Sequence, residues 1–346
     1  MEASSIFTRS LKNISMVVYG PSSQNWCPKS VRRNSTMSPD MTSQEVLGYA
    51  RDLGIESNWG RWGDHDERGT LNLLTQQSVL RAAQSVTSGR AVNLGRTLDT
   101  NAPPYYPQGL DRAVRHEMVT AWNSNAGGDV QAASDQIHIQ CHGLDNTHMD
   151  ALCHIGLGGW GYNGRDFRQM VDDTGASSCD MLVASPVVTR GVLIDVPRLR
   201  GVDHLEPGDP VTEEDLRSAT IDFQPGDGLI IRTGRARSGP ENRTAENKYG
   251  TLSGLHPEAM RFVAELQPSV LGTDGSADNF PPVPGHRLPI HVISLVVLGV
   301  HLLHNLALEE LADVLLETDR NEFMLVAAPL PLPRGTGSPI APVAVL

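Results

Sequence analysis

The sequence predicts an α/β or α+β protein, because short apolar strands alternate with amphipathic helices and no linker divides them. A second observation is that no apolar run is long enough to span a membrane. The clearest predicted strands lie at 187–196, 227–233, 269–274 and 322–329. The run at 292–300 is too short to decide between a buried strand and a buried helix.

Helices are indicated by capping residues and by apolar stripes at helical spacing. Thr75 caps the first one, which we expect to end by Gly89. A capping box begins at Thr212, and Pro257 starts another helix. The predicted apolar faces are Val79, Ala82, Ala83 and Val86 in the first helix, Ala259, Phe262, Val263 and Leu266 after Pro257, and Leu308, Leu311 and Leu315 in the last helix.

The stretch DQIHIQCH, residues 135–142, alternates strictly between apolar and polar side chains. This pattern is typical of a half-buried strand, with Ile137, Ile139 and Cys141 facing the core. Such a strand would deliver the chain directly into the histidine-rich segment that follows.

We expect three parts along the chain. Residues 1–45 form a disordered or leader segment, residues 46–330 form one domain, and residues 331–346 form an extended Pro/Gly-rich tail that wraps the surface or a partner subunit. Residues 1–40 carry a net charge of +3 and the remainder carries −15. A mitochondrial transit peptide is a weaker alternative for this start, because no amphipathic face emerges.

The overall net charge of −12 argues against nucleic acid as a partner. Four cysteines without a CxxC spacing do not form a disulfide framework in a chain of this length. We therefore expect a reduced, cytoplasmic protein that binds neither nucleic acid nor a membrane.

The segment HGLDNTHMDALCH, residues 142–154, carries the strongest chemical signal. His148 and Asp150 are two residues apart, so in an extended chain they point the same way and can chelate one ion. Imidazole with carboxylate suits Zn²⁺, Mn²⁺ or Fe²⁺. Two other interpretations stay open: a surface loop rich in histidine, or Cys153 as a nucleophile whose base lies elsewhere in the fold.

A second group of polar residues lies downstream. His301 and His304 are three residues apart and could share a helical face. Asp274 follows a predicted strand, where a carboxylate could orient metal ligands, as could the nearby Ser276 and Asp278. The remaining histidines of this region are His286 and His291.

At this point the sequence resembles the metal-dependent cyclase-like hydrolases, a family that includes bacterial kynurenine formamidase and isatin hydrolase. NTHMDALCH is similar to the family motif HxGTHxDxPxH. The resemblance covers roughly residues 58–328, and its other segments are WGRWGDHDERGTLNLLT, YNGRDF, PGDGLIIRTG, LGTDGSADNFP and IHVISLVVLGVHLLHNLALEEL.

The resemblance implies a compact α/β domain of the swivelling β/β/α type, assembled as a homodimer or homotetramer. It also implies one divalent transition metal, Zn²⁺ or Mn²⁺, that activates a water. His148 and Asp150 match metal ligands. His154 matches a histidine that ligates a second metal or acts in acid–base chemistry, and His291 matches the downstream histidine of the family. With His304, they are the candidate catalytic residues.

Two departures from the family pattern affect the metal site. The first metal histidine of the family is Leu144 here, and we expect His142 to serve as the third ligand in its place. His304 occupies the position of a carboxylate, which favours one metal over two.

The leading hypothesis is a hydrolase that opens a small amide, formamide or cyclic amide, with Trp62 and Trp160 lining the substrate pocket. Two alternatives remain. The same metal site could hydrolyse a lactone or ester, or catalyse a cyclisation or dehydration. The chain could also be a non-catalytic binding protein of the same fold.

Overall fold

A computed structural model describes residues 41–106, 110–121, 130–184, 186–239, 250–282 and 287–346. The strands within these residues are β1 (Ala91–Asn93), β2 (Val114–Thr120), β3 (Ser134–Ile139), β4 (His148–Asp150), β5 (Val171–Asp172), β6 (Gly175–Ala176), β7 (Val187–Asp195), β8 (Gly228–Arg232), β9 (Val270–Thr273), β10 (His301–His304), β11 (Glu322–Ala327), β12 (Gly337–Pro339) and β13 (Val343–Val345).

The helices alternate with the strands of the second half of the chain. The α-helices are α1 (Ser43–Arg51), α2 (Gln76–Gln84), α3 (Phe167–Met170), α4 (Val196–Arg200), α5 (Glu213–Ser218), α6 (Met260–Leu266), α7 (Pro289–His291) and α8 (Glu309–Glu317). Three 3₁₀ turns (Gly69–Leu73, Tyr162–Gly164 and Pro257–Ala259) and one π-helix (Val292–Leu298) complete the set in the described residues.

One nine-stranded sheet organises the described residues, in the order β1-β13-β11-β7-β8-β9-β10-β4-β12. The central strands β7, β8, β9 and β10 are parallel, and the other neighbours pair antiparallel. Central parallel strands are covered on both faces, which explains the apolar runs of β7, β8 and β9. The predicted mixed α/β fold is confirmed.

Two expectations about apolar faces are wrong. The predicted strand at 135–142 forms β3, but it pairs only with β2 in a separate two-stranded ribbon, and Ile137 is 54% exposed. Helix α2 has the predicted Thr75 cap but ends at Gln84 and buries Ser78 and Ala82. In both cases tertiary packing, and not the pattern of apolar residues, decides which face is covered.

The C-terminal tail does not wrap the surface. Residues 337–339 form β12, which is one edge strand of the sheet. Residues 343–345 form β13, which pairs with β1, the edge strand on the opposite side. Of the predicted leader, residues 1–40 lie outside the described residues, whereas Ser43 already starts α1 with a capping box at Thr42. The domain limits at 46 and 330 stay predictions.

The Trp- and Gly-rich segment after residue 57 covers the π-helix that precedes β10. The indole Nε1 of Trp59 donates to the carbonyl of Val296 (2.6 Å), and Asn58 Nδ2 donates to the carbonyl of Leu298 (2.8 Å). The carbonyls at the end of a helix lack partners within it, so these two side chains stabilise the approach to β10. None of the helices in the described residues is both long and apolar enough to cross a membrane.

Candidate metal centre

Strand β4 places three buried residues of the histidine-rich segment between two neighbours in the sheet. Its register with β10 sets His304 opposite His148, and its register with β12 sets Gly337 opposite Asp150. The carboxylate of Asp150 is fully buried. Sheet pairing therefore brings side chains from distant parts of the chain around this one carboxylate.

Four imidazoles approach the two oxygens of Asp150. Oδ1 lies 2.9 Å from Nδ1 of His142 and 3.4 Å from Nε2 of His148. Oδ2 lies 3.1 Å from Nε2 of His304 and 3.6 Å from Nε2 of His291. These atoms form two groups that could hold a metal ion: His142, His148 and Asp150, and Asp150, His291 and His304.

Two of these buried atoms lack hydrogen-bond partners. Oδ2 of Asp150 and Nε2 of His304 are both enclosed, and neither makes a hydrogen bond of acceptable geometry. An unsatisfied buried polar atom costs free energy, and a cation between the two would satisfy both. Imidazole and carboxylate donors suit a divalent transition metal, so the residues present fit such an ion.

The far side of each imidazole is held by a second group. The pairs are His142 Nε2 with Thr336 Oγ1 (3.1 Å), His148 Nδ1 with the carbonyl of Asn146 (2.8 Å), His291 Nδ1 with the carboxylate of Asp278, and His304 Nδ1 with the amide of Ala277 (3.2 Å). Such partners fix ring orientation in metal sites. The other nitrogen of each of these rings is directed at Asp150.

The electrostatics of the group hold the ligands in the forms that bind metal. Burial would raise the pKa of Asp150, but His154, His304 and His142 lower it well below its usual range. Burial lowers the pKa of His148 to about 3, against the opposing pull of Asp150. An ionised carboxylate beside a neutral imidazole is the state that a metal ion requires.

His154 and His291 lie beside this group and line the same cavity. The ring of His154 stacks on that of His142, with centroids 3.7 Å apart, and lies 6.2 Å from that of His291. Removal from water lowers the pKa of His154 well below its usual range. Burial opposes protonation of His291 too, but Asp278 outweighs it and raises the pKa of His291.

A cavity of about 90 Å³ opens over these imidazoles. Apolar and aromatic side chains form much of its wall: Tyr105, Tyr106, Leu144, Ile155 and Leu288. The two tyrosine rings meet edge to face, with centroids 4.7 Å apart. Apolar walls with a few polar groups at the base are the lining expected of a site for a small molecule.

Two predicted pocket residues lie elsewhere. The ring of Trp62 lies under the guanidinium of Arg61, whose Cζ is 4.7 Å from the ring centroid. The indole Nε1 of Trp160 donates to the carbonyl of Met41 (2.8 Å). Neither is among the described residues that line the cavity. Both loops are held by local contacts, and the aromatic wall comes from Tyr105 and Tyr106, which no motif singled out.

The expectation for Asp274 also needs correction. Its carboxylate accepts hydrogen bonds from the backbone of Thr233, Gly234 and Arg235, so it holds that turn and no imidazole. Asp278, four residues later, contacts His291 instead. Both aspartates follow β9, and the sequence alone could not decide between them.

Three further candidates are now placed. His301 and His304 share strand β10 rather than a helix, so alternation sends His301 to the opposite face. Cys153 is fully buried, and burial raises its pKa, which argues against a nucleophile. His286 lies outside the described residues.

Comparison with known proteins agrees with this fold. A family model described as "putative cyclase" matches residues 92–278, more than half of the chain. A crystal structure titled as a novel cyclase is 28% identical, with a TM-score of 0.74, and the match covers 84% of this chain and 98% of that one.

Two isatin hydrolases share the fold at lower identity. Isatin hydrolase A from Labrenzia aggregata, bound to benzyl benzoate, is 23% identical with a TM-score of 0.53, covering 77% of this chain and 98% of that one. The enzyme from Ralstonia solanacearum is 18% identical with a TM-score of 0.53, covering 78% and 97%. No curated protein matches the chain. The resemblance seen in the sequence is therefore confirmed, and the chain belongs to the cyclase family.

Proposed function

We propose that this protein is a metal-dependent hydrolase that opens a small amide, formamide or cyclic amide. The observation that carries the proposal is the convergence of four imidazoles on the buried Asp150 at the base of a small cavity. The family membership supports the reaction class, and the apolar walls support a small organic substrate.

His142, His148 and Asp150 would hold one ion. The two possible ligand groups share Asp150 through different oxygens, and we assign the ion to the group on Oδ1. His304 adds a further imidazole where relatives have a carboxylate. A ligand set this rich in nitrogen favours Zn²⁺ over Mn²⁺.

The chemistry divides between the ion and the surrounding histidines. A bound ion of this kind lowers the pKa of a coordinated water and polarises a carbonyl. His154 lines the cavity with its ring stacked on that of His142, which places it to accept a proton from the water. His291, with Nδ1 held by Asp278, presents Nε2 and can move a proton at the leaving nitrogen. His304 lies close enough to Asp150 to act beside the ion or bind it.

The cavity favours an uncharged substrate. Its described lining contains histidines, tyrosines and aliphatic side chains, without a lysine or arginine to pair with a substrate carboxylate. We therefore expect neutral cyclic imides and N-formyl amines to be better substrates than their carboxylated analogues.

Metal analysis with matched variants tests the proposal. Purified protein should contain about one equivalent of transition metal and lose activity to a chelator. His148→Ala should abolish metal binding, whereas His116→Ala, an exposed histidine of the β2–β3 ribbon, should retain it. A metal-free wild-type protein with full activity would refute the proposal.

A substrate panel separates the remaining chemistries. N-formyl amines, cyclic imides and lactones would be offered to the same metal-loaded protein. Turnover of lactones alone would replace the amide assignment by an ester one, and a product of cyclisation or dehydration would replace hydrolysis. Metal binding without turnover of any compound would favour a binding protein.

We also infer a cytoplasmic homodimer or homotetramer. Cys141, Cys153 and Cys179 are free, which fits a reducing compartment. Met118 and Ile137 of the ribbon are more than half exposed, and a two-stranded ribbon is only marginally stable without a covering surface. Light scattering on the purified protein would give the oligomeric state.

A further inference from the structure

The residue before β12 reaches the metal centre from the far end of the chain. Strand β12 lies beside β4, and the carbonyl of Thr336 accepts a hydrogen bond from the amide of Ala151 (3.0 Å). On the same residue, Oγ1 lies 3.1 Å from Nε2 of His142. The backbone pairing that completes the sheet edge thus also places a hydroxyl at one end of this imidazole.

Gly337 provides the space that the ring of His142 occupies. A Cβ added at Gly337 would lie 2.5 Å from Cε1 of His142 and 2.9 Å from the carbonyl of Met149. On another side, the ring stacks on that of His154, with an interplanar angle of 3° and ring centroids 3.7 Å apart. Any larger residue at 337 would displace His142 from this place.

The two nitrogens of His142 therefore have different partners. Nδ1 faces Oδ1 of Asp150 at 2.9 Å, and Nε2 faces the threonine hydroxyl. A hydroxyl can donate or accept. It can donate to Nε2 when Nδ1 carries the proton, and accept from Nε2 when Nδ1 binds a cation. The ring keeps the same position in both states.

We propose that Thr336 and Gly337 are positioning residues that seat His142 as a metal ligand through its Nδ1. This inference rests on the proposed function, because it assumes a metal at Asp150. It assigns a role to the C-terminal segment, whose hydroxyl and glycine complete a ligand that the histidine-rich segment cannot orient by itself. Thr336 touches neither substrate nor ion and acts through His142.

Metal affinity of the full-length protein tests the role of the hydroxyl. Metal-free wild type and variants would be titrated with Zn²⁺ by calorimetry and with Co²⁺ by its visible absorption. Thr336→Val keeps the shape but removes the hydroxyl, and we expect about 10- to 100-fold weaker binding with an altered Co²⁺ spectrum. Thr336→Ser restores the hydroxyl and should bind within about 3-fold of wild type.

Two controls separate positioning from general destabilisation. His142→Ala should weaken binding at least as much as Thr336→Val. Thr189 lies on β7, away from the site, and its buried hydroxyl donates to the carbonyl of Gly226 (2.7 Å). Thr189→Val removes this hydroxyl and should leave the metal affinity unchanged.

Each outcome has a distinct meaning. Wild-type affinity in Thr336→Val or in His142→Ala would overturn the positioning role while leaving the proposed hydrolase intact. An equal loss in Thr189→Val would overturn it as well, because the effect would then be general. If the wild-type protein binds neither Zn²⁺ nor Co²⁺, the proposed function itself fails, and the inference fails with it.

Discussion

Replacing Asp278 by asparagine should reverse the hydrogen-bonding direction of His291 without changing the shape of the site. The carboxylate of Asp278 is fully buried and accepts from the amides of Ile290 (2.7 Å) and His291 (3.4 Å). It also pairs with Nδ1 of the His291 ring. The ring therefore carries its proton on Nδ1 and keeps a lone pair on Nε2, which lies 3.6 Å from Oδ2 of Asp150 at the base of the cavity.

The size of the effect follows from the hydrogen-bond inventory. Asparagine offers one oxygen, which can still accept from Ile290, and one NH₂, which would face Nδ1–H of His291. Two donors cannot pair, so the proton moves to Nε2, and His291 can no longer accept a proton at the cavity. General acid–base catalysis contributes about 10²- to 10⁴-fold, so kcat/KM should fall by that factor, or about 3–5 kcal/mol of transition-state free energy.

The assay is steady-state kcat/KM on the best substrate of the panel, together with metal content and unfolding free energy. Asp274→Asn is the matched control, because Asp274 is another buried aspartate after β9 whose carboxylate serves the turn at 233–235. It should lower the unfolding free energy by about 3 kcal/mol, since charge-assisted bonds are lost. Its kcat/KM should stay within about 3-fold of wild type.

Two results would refute this reasoning. The orientation of His291 would be irrelevant if Asp278→Asn kept its metal and its kcat/KM within about 3-fold of wild type. An equal loss of kcat/KM in Asp274→Asn would show that both variants act through general distortion of the segment.

Two further predictions concern stability. His301 is fully buried, neither ring nitrogen has a hydrogen-bond partner, and burial lowers its pKa to about 3. The unfolded state, with a pKa of about 6.5, binds the proton more tightly, so stability is complete above that pH and falls as the pH drops towards 3. Below pH 6.5 the unfolding free energy of the wild type should fall by about 1.4 kcal/mol per pH unit because of His301, and His301→Leu should remove this fall. Urea unfolding at pH 7.5 and 5.5 measures it. The same pH slope in the variant and the wild type would contradict the prediction. Trp59→Phe removes the donor to the carbonyl of Val296 and should lower the unfolding free energy by about 1 kcal/mol in the same assay at pH 7.5. An unchanged unfolding free energy would show that this hydrogen bond does not stabilise the fold.

The fold was predictable where local sequence and burial agree. Strands β7, β8, β9 and β11 lie in the middle of the sheet or next to it, and their apolar runs identified them. The capping boxes at Thr75 and Thr212 also gave the correct helix starts. The ribbon strand β3 failed because its alternation matches a half-buried strand, yet no layer of the described domain covers it.

From spacing alone, the site was predictable only as far as its residues lie close in sequence, and His291 and His304 were found through the family resemblance. His148 and Asp150 share a strand, so their common direction follows from spacing alone. The roles of Thr336 and Tyr105 depend on pairing between segments that are far apart, which no local pattern encodes. His301 and His304 show the opposite error, because a spacing of three residues suggests a helix face, whereas β10 sends the two rings to opposite sides.

The position of β4 explains why the site is assembled from such distant residues. This strand has three residues, and both its neighbours contribute to the group around Asp150: β10 provides His304, and the segment entering β12 provides Thr336. An ion held by His142, His148 and Asp150 would bind side chains of β4 directly, would lie beside His304 of β10, and would be coupled to β12 through His142. Because a ligand that binds only the folded state stabilises it by mass action, metal binding and closure of this end of the sheet are thermodynamically linked. The same linkage explains the placement of a buried carboxylate with an unpaired oxygen at this edge. The unpaired oxygen costs stability without a partner, and a bound cation would offset that cost where β4, β10 and β12 meet.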